Sequence, residues 1–353
     1  MTTTWPDLLG HLVRRVDQPA EAVAWAMRQI LAGEATPAQL AAFAVALRSK
    51  GETVTELTGL VEVMLEFATP ITVAEPAVDV VGSGGDRMNT VNVSTMAAIV
   101  AAAAGATVVK HGNRAASSAC GAADVLEALG VVLDLTPQAQ QQVVTEVGIG
   151  FLFAPHYHPA LRHAGPVRAQ LGIPTTFNFL GPMANPAQPR AQAVGVADPR
   201  MAELMAGVFA SRGQQGLVMH GGDGLDELTT TTCSTLWVYA DGQVRRTELD
   251  PADLGLPRAD LTDLVGGDPT RNAQVVRDVV AGAPGPVRDI VLLNTAAALV
   301  ADAKPDPDDL AAAFATQLER ARRAVDSGAA QAKLHQWVEA TQAVSRGTPS
   351  VSR

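Results

Sequence analysis

The chain has 353 residues, 47% of them hydrophobic and 18% charged, so it can bury a large core as one big domain or two unequal ones and is globular rather than disordered. Its 26 Lys plus Arg against 36 Asp plus Glu leave a formal charge of -10, which argues against diffuse attraction to nucleic acid or anionic lipid. Any grip on phosphate must therefore be local. The N-terminal segment Met1 to Asp7 lacks the basic stretch and apolar core of a secretory signal, and the Ala-rich run from Met96 to Val109 is too short to span a bilayer. Cys120 and Cys233 stand far apart with no Cys-x-x-Cys pairing, so the expected location is the reduced cytoplasm.

Residues 1–72 read as helices alone. Thr36-Pro37-Ala38-Gln39 offers an N-cap hydroxyl, a proline at the first helical position and a glutamine three residues on; Leu40, Phe43, Ala44 and Leu47 then share one face up to Gly51. Thr53 with Glu56 repeats the arrangement, and Leu57, Leu60, Val61 and Met64 form the next apolar stripe. From Ala77 the texture changes to short apolar runs separated by helical patterns, at 78–81, 107–110, 131–135, 150–153 and 216–219. That alternation predicts a mostly parallel sheet with crossover helices.

Residues 159–186 are again helical, punctuated by proline, and are expected to return to the N-terminal helices. The predicted class is therefore α/β: a small all-helical N-terminal lobe, residues 1–72 plus about 160–186, hinged to a large α/β lobe with a mostly parallel central sheet, residues 75–158 plus about 190–345. Residues 306–329 and 330–344 have helical composition and are expected to cover the sheet, leaving 346–353 as a tail. The cleft between the lobes is the expected substrate site.

Four segments carry chemistry. The strand Val78 to Val81 ends in Gly82-Ser83-Gly84-Gly85-Asp86, and a helical run begins near Ser94. Glycines after a strand let main-chain N–H groups approach an anion, and the helix that follows adds its positive end. A dinucleotide fingerprint would need glycine where Arg87 stands, and a Walker loop would need Gly-Lys-Ser or Gly-Lys-Thr, so neither nucleotide motif is present. Thr90, Asn92, Ser94 and Thr95 supply four polar side chains just before the Ala-rich run, more than capping requires.

Lys110-His111-Gly112-Asn113-Arg114-Ala115-Ala116-Ser117-Ser118 follows another strand end, the edge at which open α/β sheets bind ligands, and suits a polyphosphate. His220-Gly221-Gly222-Asp223-Gly224-Leu225-Asp226-Glu227 follows a third; its adjacent carboxylates suit magnesium, which takes oxygen ligands and shares them with substrate phosphates. His156 and His158 have no third ligand at zinc spacing and are read as structural or as a substrate wall. Arg168 could pair bidentately with a substrate carboxylate.

Together with Phe177-Asn178-Phe179-Leu180-Gly181-Pro182, these ordered segments resemble the anthranilate phosphoribosyltransferase family, from the N-terminal helices to at least Val300. The resemblance implies a homodimer acting in the second step of tryptophan biosynthesis, joining anthranilate to phosphoribosyl pyrophosphate and releasing pyrophosphate. It further implies that phosphoribosyl pyrophosphate is held by Gly82, Gly85, Asp86, Thr90, Asn92, Val93, Ser94, Thr95, the stretch Lys110 to Ser118, and Ala122. Magnesium, as two ions, would be served by Ser94, Asp226 and Glu227, and anthranilate by Gly82, Asn113 and Arg168, with Pro155 and His158 along its entry path.

The chain departs from the family's usual pattern at Ser83, where Thr is common, and at Cys120 and Ala122, where Ser is frequent, which implies one phosphate contact either missing or replaced by backbone. No residue is nominated as catalytic base, since the aromatic amine is already neutral at pH 7. The alternatives are a pyrimidine nucleoside phosphorylase, against which Asn113 and the Asp226-Glu227 pair argue, and a non-catalytic nucleic-acid-binding relative, against which the -10 charge argues.

Overall fold

A computed structural model describes residues 3–74, 76–115 and 119–347; the predicted site residues Ala116, Ser117 and Ser118 lie outside the described residues. The chain begins with helices α1 (Trp5–Val13), α2 (Ala20–Leu31), α3 (Pro37–Lys50) and α4 (Val54–Glu66). Both expected capping boxes form, Thr36 with Gln39 and Thr53 with Glu56, each satisfying two donors that a helix start leaves free. The stripes Leu40, Phe43, Ala44, Leu47 and Leu57, Leu60, Val61, Met64 are buried, with the ring of Trp5 between those of Trp25 and Phe43.

Among the described residues, seven strands form one sheet in the order β3-β2-β1-β4-β5-β6-β7. They are β1 (Val78–Gly82), β2 (Val108–Gly112), β3 (Ile149–Phe153), β4 (Ala191–Gly195), β5 (Gln215–Gly221), β6 (Ser234–Ala240) and β7 (Gln243–Leu249). The first five are parallel to one another, β6 is antiparallel to β5, and β7 is antiparallel to β6. Alternation along each strand sorts the core onto two faces. Val80, Val108, Ala193, Leu217 and Val238 face one cluster with α5 (Val93–Ala103) and, later in the chain, α13 (Pro286–Asp302), α14 (Leu310–Asp326) and α15 (Ala329–Gly347). Val81, Val194, Val218 and Tyr239 join the N-terminal helices and α11 (Pro199–Ser211) on the other.

The remaining helices are α6 (Ala122–Leu129), α7 (Pro137–Val147), α8 (Ala154–Tyr157), α9 (Gly165–Leu171), α10 (Phe177–Met183) and α12 (Pro269–Val280). Helix α9 packs on α3, and α10 on α4, α11 and β2. At this junction the buried carboxylate of Glu52 accepts from Thr176 Oγ1 at 2.6 Å and pairs with Arg200 and Arg48, and Arg48 also meets Asp198 at 2.6 Å. One acid thus ties the α3–α4 turn to the starts of α10 and α11.

Three expectations are corrected. Residues 131–135 are not a strand: β2 pairs directly with β3, leaving no gap in the sheet, and Val131, Leu133 and Leu135 bury in the helical layer while Thr341 Oγ1 of α15 accepts from Val132 N. Strands β4, β6 and β7 complete the sheet without having been anticipated. Helix α15 continues through Gly347, past the expected start of the tail at 346.

Candidate functional site

Chain order reverses between β1 and β4, and such a switch point leaves a crevice at the carboxyl ends of the strands. Here the two strands end on register partners Gly82 and Gly195. A Cβ on Gly82 would overlap Asp226 Oδ2, and one on Gly195 would overlap the main-chain oxygen of Asp226. The absence of side chains at both positions lets the 221–231 loop lie across the end of the sheet. That loop is fastened internally, because Asp223 Oδ2 accepts from the hydroxyls of Thr229 and Thr231, each at 2.6 Å, and Leu228 N donates to Asn294 Oδ1 at 2.9 Å.

Asp226 and Glu227 are buried and tied to different elements. Gly84, at φ 70, turns its N–H onto Asp226 Oδ2 at 2.6 Å, a backbone conformation that favours glycine. Glu227 Oε1 accepts from Ser94 N in the first turn of α5 at 3.1 Å, and Ser94 Oγ accepts from Lys110 Nζ at 3.1 Å. Lys110 is itself buried and donates a second bond to Val80 O. Beneath it lies Asp79, fully buried, whose carboxylate accepts from Asn185 Nδ2 at 2.8 Å and His111 N at 3.2 Å.

The electrostatics follow from burial. Desolvation pushes Asp226 well above the usual carboxylate range, and the charges of Glu227 and Asp86 push it further. Glu227 is raised by burial against the opposing pull of Lys110, and Lys110 is lowered by burial although Asp79, Glu227 and Asp226 favour its charge. Asp79 rises to about 6 through burial.

Two buried, mutually repelling carboxylates beside a hydroxyl form a hard-oxygen donor set that suits magnesium. Among the described residues no three of Asp, Glu, His and Cys are arranged to hold an ion by themselves, so a bound cation must take further ligands from substrate or water. The residues fit an ion that arrives with phosphate oxygens.

These groups line a cavity of ≈ 390 Å³ that gathers Gly82, Gly85, Asp86, Thr90, Asn92, Val93, Ser94, Thr95, Lys110, His111, Gly112, Asn113, Arg114, Ala115, Ala122, His158, Arg168, Asp226 and Glu227. Pro155 is not in its lining; Ala154, His158 and Leu161 form that stretch of wall, because Pro155 sits within the single turn of α8. Two further lining side chains, Arg114 and Asn92, are also engaged. Arg114 pairs with Asp124 and Glu127 and lies over the Phe153 ring, and the Asn92 amide is bonded at both ends, to Cys120 O at 3.0 Å and to Asn272 at 2.9 Å.

The opposite wall comes from α9 and α10. Arg168 stacks over Phe177 at 5.7 Å, makes no ion pair among the described residues, and is lowered by desolvation alone. The His111 and His158 rings sit 5.2 Å apart, each bonded through one nitrogen to a carbonyl of the α10 region, His111 Nδ1 to Gly181 O at 3.1 Å and His158 Nε2 to Ala184 O at 2.8 Å. Burial and the neighbouring His158 take His111 down to about 3, so it stays neutral and its unpartnered Nε2 is an acceptor. A larger hollow of ≈ 610 Å³ beside β7 is a poor rival, since its charges pair with one another, Lys304 with Asp241 and Arg245 with Asp308.

Sequence reasoning missed Asp79, Gly195, Asp223 and Asn272. Only Asp79 left a mark, as a carboxylate inside an otherwise apolar run.

The sequence matches the helical-bundle domain of a glycosyl transferase family over residues 6–68 and the a/b domain of that family over residues 74–331. It is 57% identical over 340 residues to the anthranilate phosphoribosyltransferase of Thermobifida fusca, covering 96% of this chain and 97% of that one, and 57% identical over 341 residues to that of a Nocardioides species, covering 96% and 99%. The fold matches the crystal structure of anthranilate phosphoribosyltransferase from Thermus thermophilus with a TM-score of 0.88 at 39% identity, over 95% of this chain and 99% of the other. It also matches the Saccharomyces cerevisiae enzyme in complex with PRPP and Mg, with a TM-score of 0.81 at 26% identity over 92% of both chains. Relatives of matching length and a cavity of matching chemistry agree, and the chain belongs to the anthranilate phosphoribosyltransferase family.

Proposed function

We infer that the chain transfers the phosphoribosyl group of 5-phosphoribosyl 1-pyrophosphate to the amine of anthranilate, giving N-(5-phosphoribosyl)anthranilate and pyrophosphate in tryptophan biosynthesis. The observation that carries this reading is the convergence of the Gly82–Asp86 loop and the Asp226-Glu227 pair in one cavity at the switch point of the sheet. The relatives' shared activity sets the nucleoside phosphorylase aside.

Phosphoribosyl pyrophosphate lies along Gly82 to Asp86, Thr90 to Thr95 and the β2 turn from Lys110, where main-chain donors and the α5 terminus meet negative oxygens. Magnesium is held by Ser94, Asp226 and Glu227. When bound, it sets positive charge against the negative charge that develops on departing pyrophosphate.

Anthranilate enters on the α9–α10 side. Its carboxylate pairs with Arg168, a desolvated guanidinium without an anion partner among the described residues, and Asn113 and Gly82 border the amine. Placement of the neutral amine against the ribose carbon supplies the acceleration, so no side chain need remove a proton first. Approach of the helical lobe, residues 1–72 with about 160–186, would exclude water from the activated sugar.

The free thiols of Cys120 and Cys233 favour a cytoplasmic setting, and a homodimer is the expected assembly. The direct test follows anthranilate fluorescence as protein, phosphoribosyl pyrophosphate and magnesium are mixed. A magnesium-dependent decay is expected; an unchanged signal at saturating donor would reject the assignment.

A further inference from the structure

The turn that opens α5 is braced from outside the motifs described above. Asn92 stands at the N-cap of α5, where an asparagine side chain ordinarily accepts from the helix's own N–H groups, yet it makes no such bond. Its Nδ2 donates to Cys120 O at 3.0 Å and its Oδ1 accepts from Nδ2 of Asn272, 180 positions away, at 2.9 Å.

Asn272 is buried in the first turn of α12, and its own Oδ1 accepts from Gly267 N at 2.8 Å. That N–H can only donate, so the Asn272 amide group must face Asn92, and the Asn92 oxygen must face it in turn. The main chain follows the same line. Residues 264–267 run antiparallel to 89–91 through Val91 N to Leu264 O and Gly266 N to Asn89 O, both at 2.9 Å. The Asn92 side chain thus bridges the start of α12 and the main chain at Cys120, and it fixes the turn in which Val93 N donates to Val91 O and Ser94 N to Glu227 Oε1 at the cavity wall.

We propose that Asn272 is a positioning residue for sugar-donor binding: through Asn92 it fixes the turn that opens α5, and so sets the groups of that turn for a phosphate in the cavity. The proposal rests on the reading that this turn binds phosphoribosyl pyrophosphate. The test compares Asn272→Ala, Asn92→Ala and their double variant in the full chain, measuring kcat, KM for each substrate and Tm.

Each single variant is expected to raise KM for phosphoribosyl pyrophosphate about tenfold, the scale of one disrupted buried hydrogen bond, with KM for anthranilate changed by less than about twofold. The double variant should match Asn92→Ala alone, because Asn272 acts through Asn92. Asn272→Asp, which keeps the acceptor for Gly267 N–H but sets a carboxylate against Asn92 Oδ1, should raise the same KM without lowering Tm as far as Asn272→Ala.

Additive effects in the double variant, or an unchanged donor KM in Asn272→Ala while Asn92→Ala raises it, would overturn the proposal and leave the site reading intact. An unchanged donor KM in Asn92→Ala would reject both. Failure of Asn272→Ala and Asn272→Asp alike to fold would assign Asn272 to stability alone and overturn it as well.

Discussion

On the sheet side of the cavity the buried acidic and cationic groups are tied to other elements: Asp226 to Gly84, Glu227 to Ser94, Lys110 to Val80 and Ser94, Asp79 to Asn185 and His111. On the helical side Arg168 rests against one aromatic ring, on a seven-residue helix that begins at Gly165 and stops before Gly172. The contrast separates two tasks. Groups that meet charge developing at the leaving group act best when fixed in advance, whereas a group that meets a stable carboxylate can be ordered by its ligand.

The largest test of that division is Asp226→Asn with Glu227→Gln, expected to slow the fluorescence decay by about 10³-fold or more with an unchanged circular-dichroism spectrum. A double variant with full activity would remove the sheet wall from the chemistry. Next, Arg168→Ala is expected to raise KM for anthranilate about 100-fold while leaving that for phosphoribosyl pyrophosphate near its starting value. Equal rises in both constants would erase the distinction between the walls.

Gly195→Ala probes rigidity directly. The new methyl would press on the main chain of Asp226, so equilibrium unfolding should show a loss of about 1–3 kcal/mol, and the magnesium concentration at half-maximal rate should rise. A variant with wild-type stability and metal dependence would mean that the loop is free to move.

The smallest effect concerns pH. Asp79, raised to about 6 in the fold, contributes stability that is complete below its unfolded value of about 4 and is lost as pH rises through about 6, because the unfolded chain ionises first. Asn cannot ionise, so the stability advantage of wild type over Asp79→Asn should shrink by about 1–3 kcal/mol between pH 4 and pH 7. A pH-independent difference would show that Asp79 titrates alike in both states.

Local signals were the legible ones. Capping boxes and apolar stripes placed α3 and α4, and glycine-rich turns after apolar runs placed the ends of β1, β2 and β5. Strand β4 was hidden because Ala191-Gln192-Ala193-Val194-Gly195 offers a single β-branched residue, and residues 131–135 misled because an apolar run can bury against helices as well as in a sheet. The cavity was readable where one contiguous motif supplies the groups. Gly195 and Asn272 were not, since each matters only through a residue that folding brings beside it, nor was Asp223, which acts only by fastening its own loop to Thr229 and Thr231. Pro155, expected along the entry path, stands outside the lining because one turn of helix carries it there.

The paired glycines at 82 and 195 also set limits on redesign. Acidic loop and strand ends touch there without intervening side chains, so neither partner can be resized alone, and donor specificity is locked to the scaffold. Variation for new aromatic acceptors is best confined to α9 and α10, whose side chains, among the described residues, make no hydrogen bond to Asp226 or Glu227.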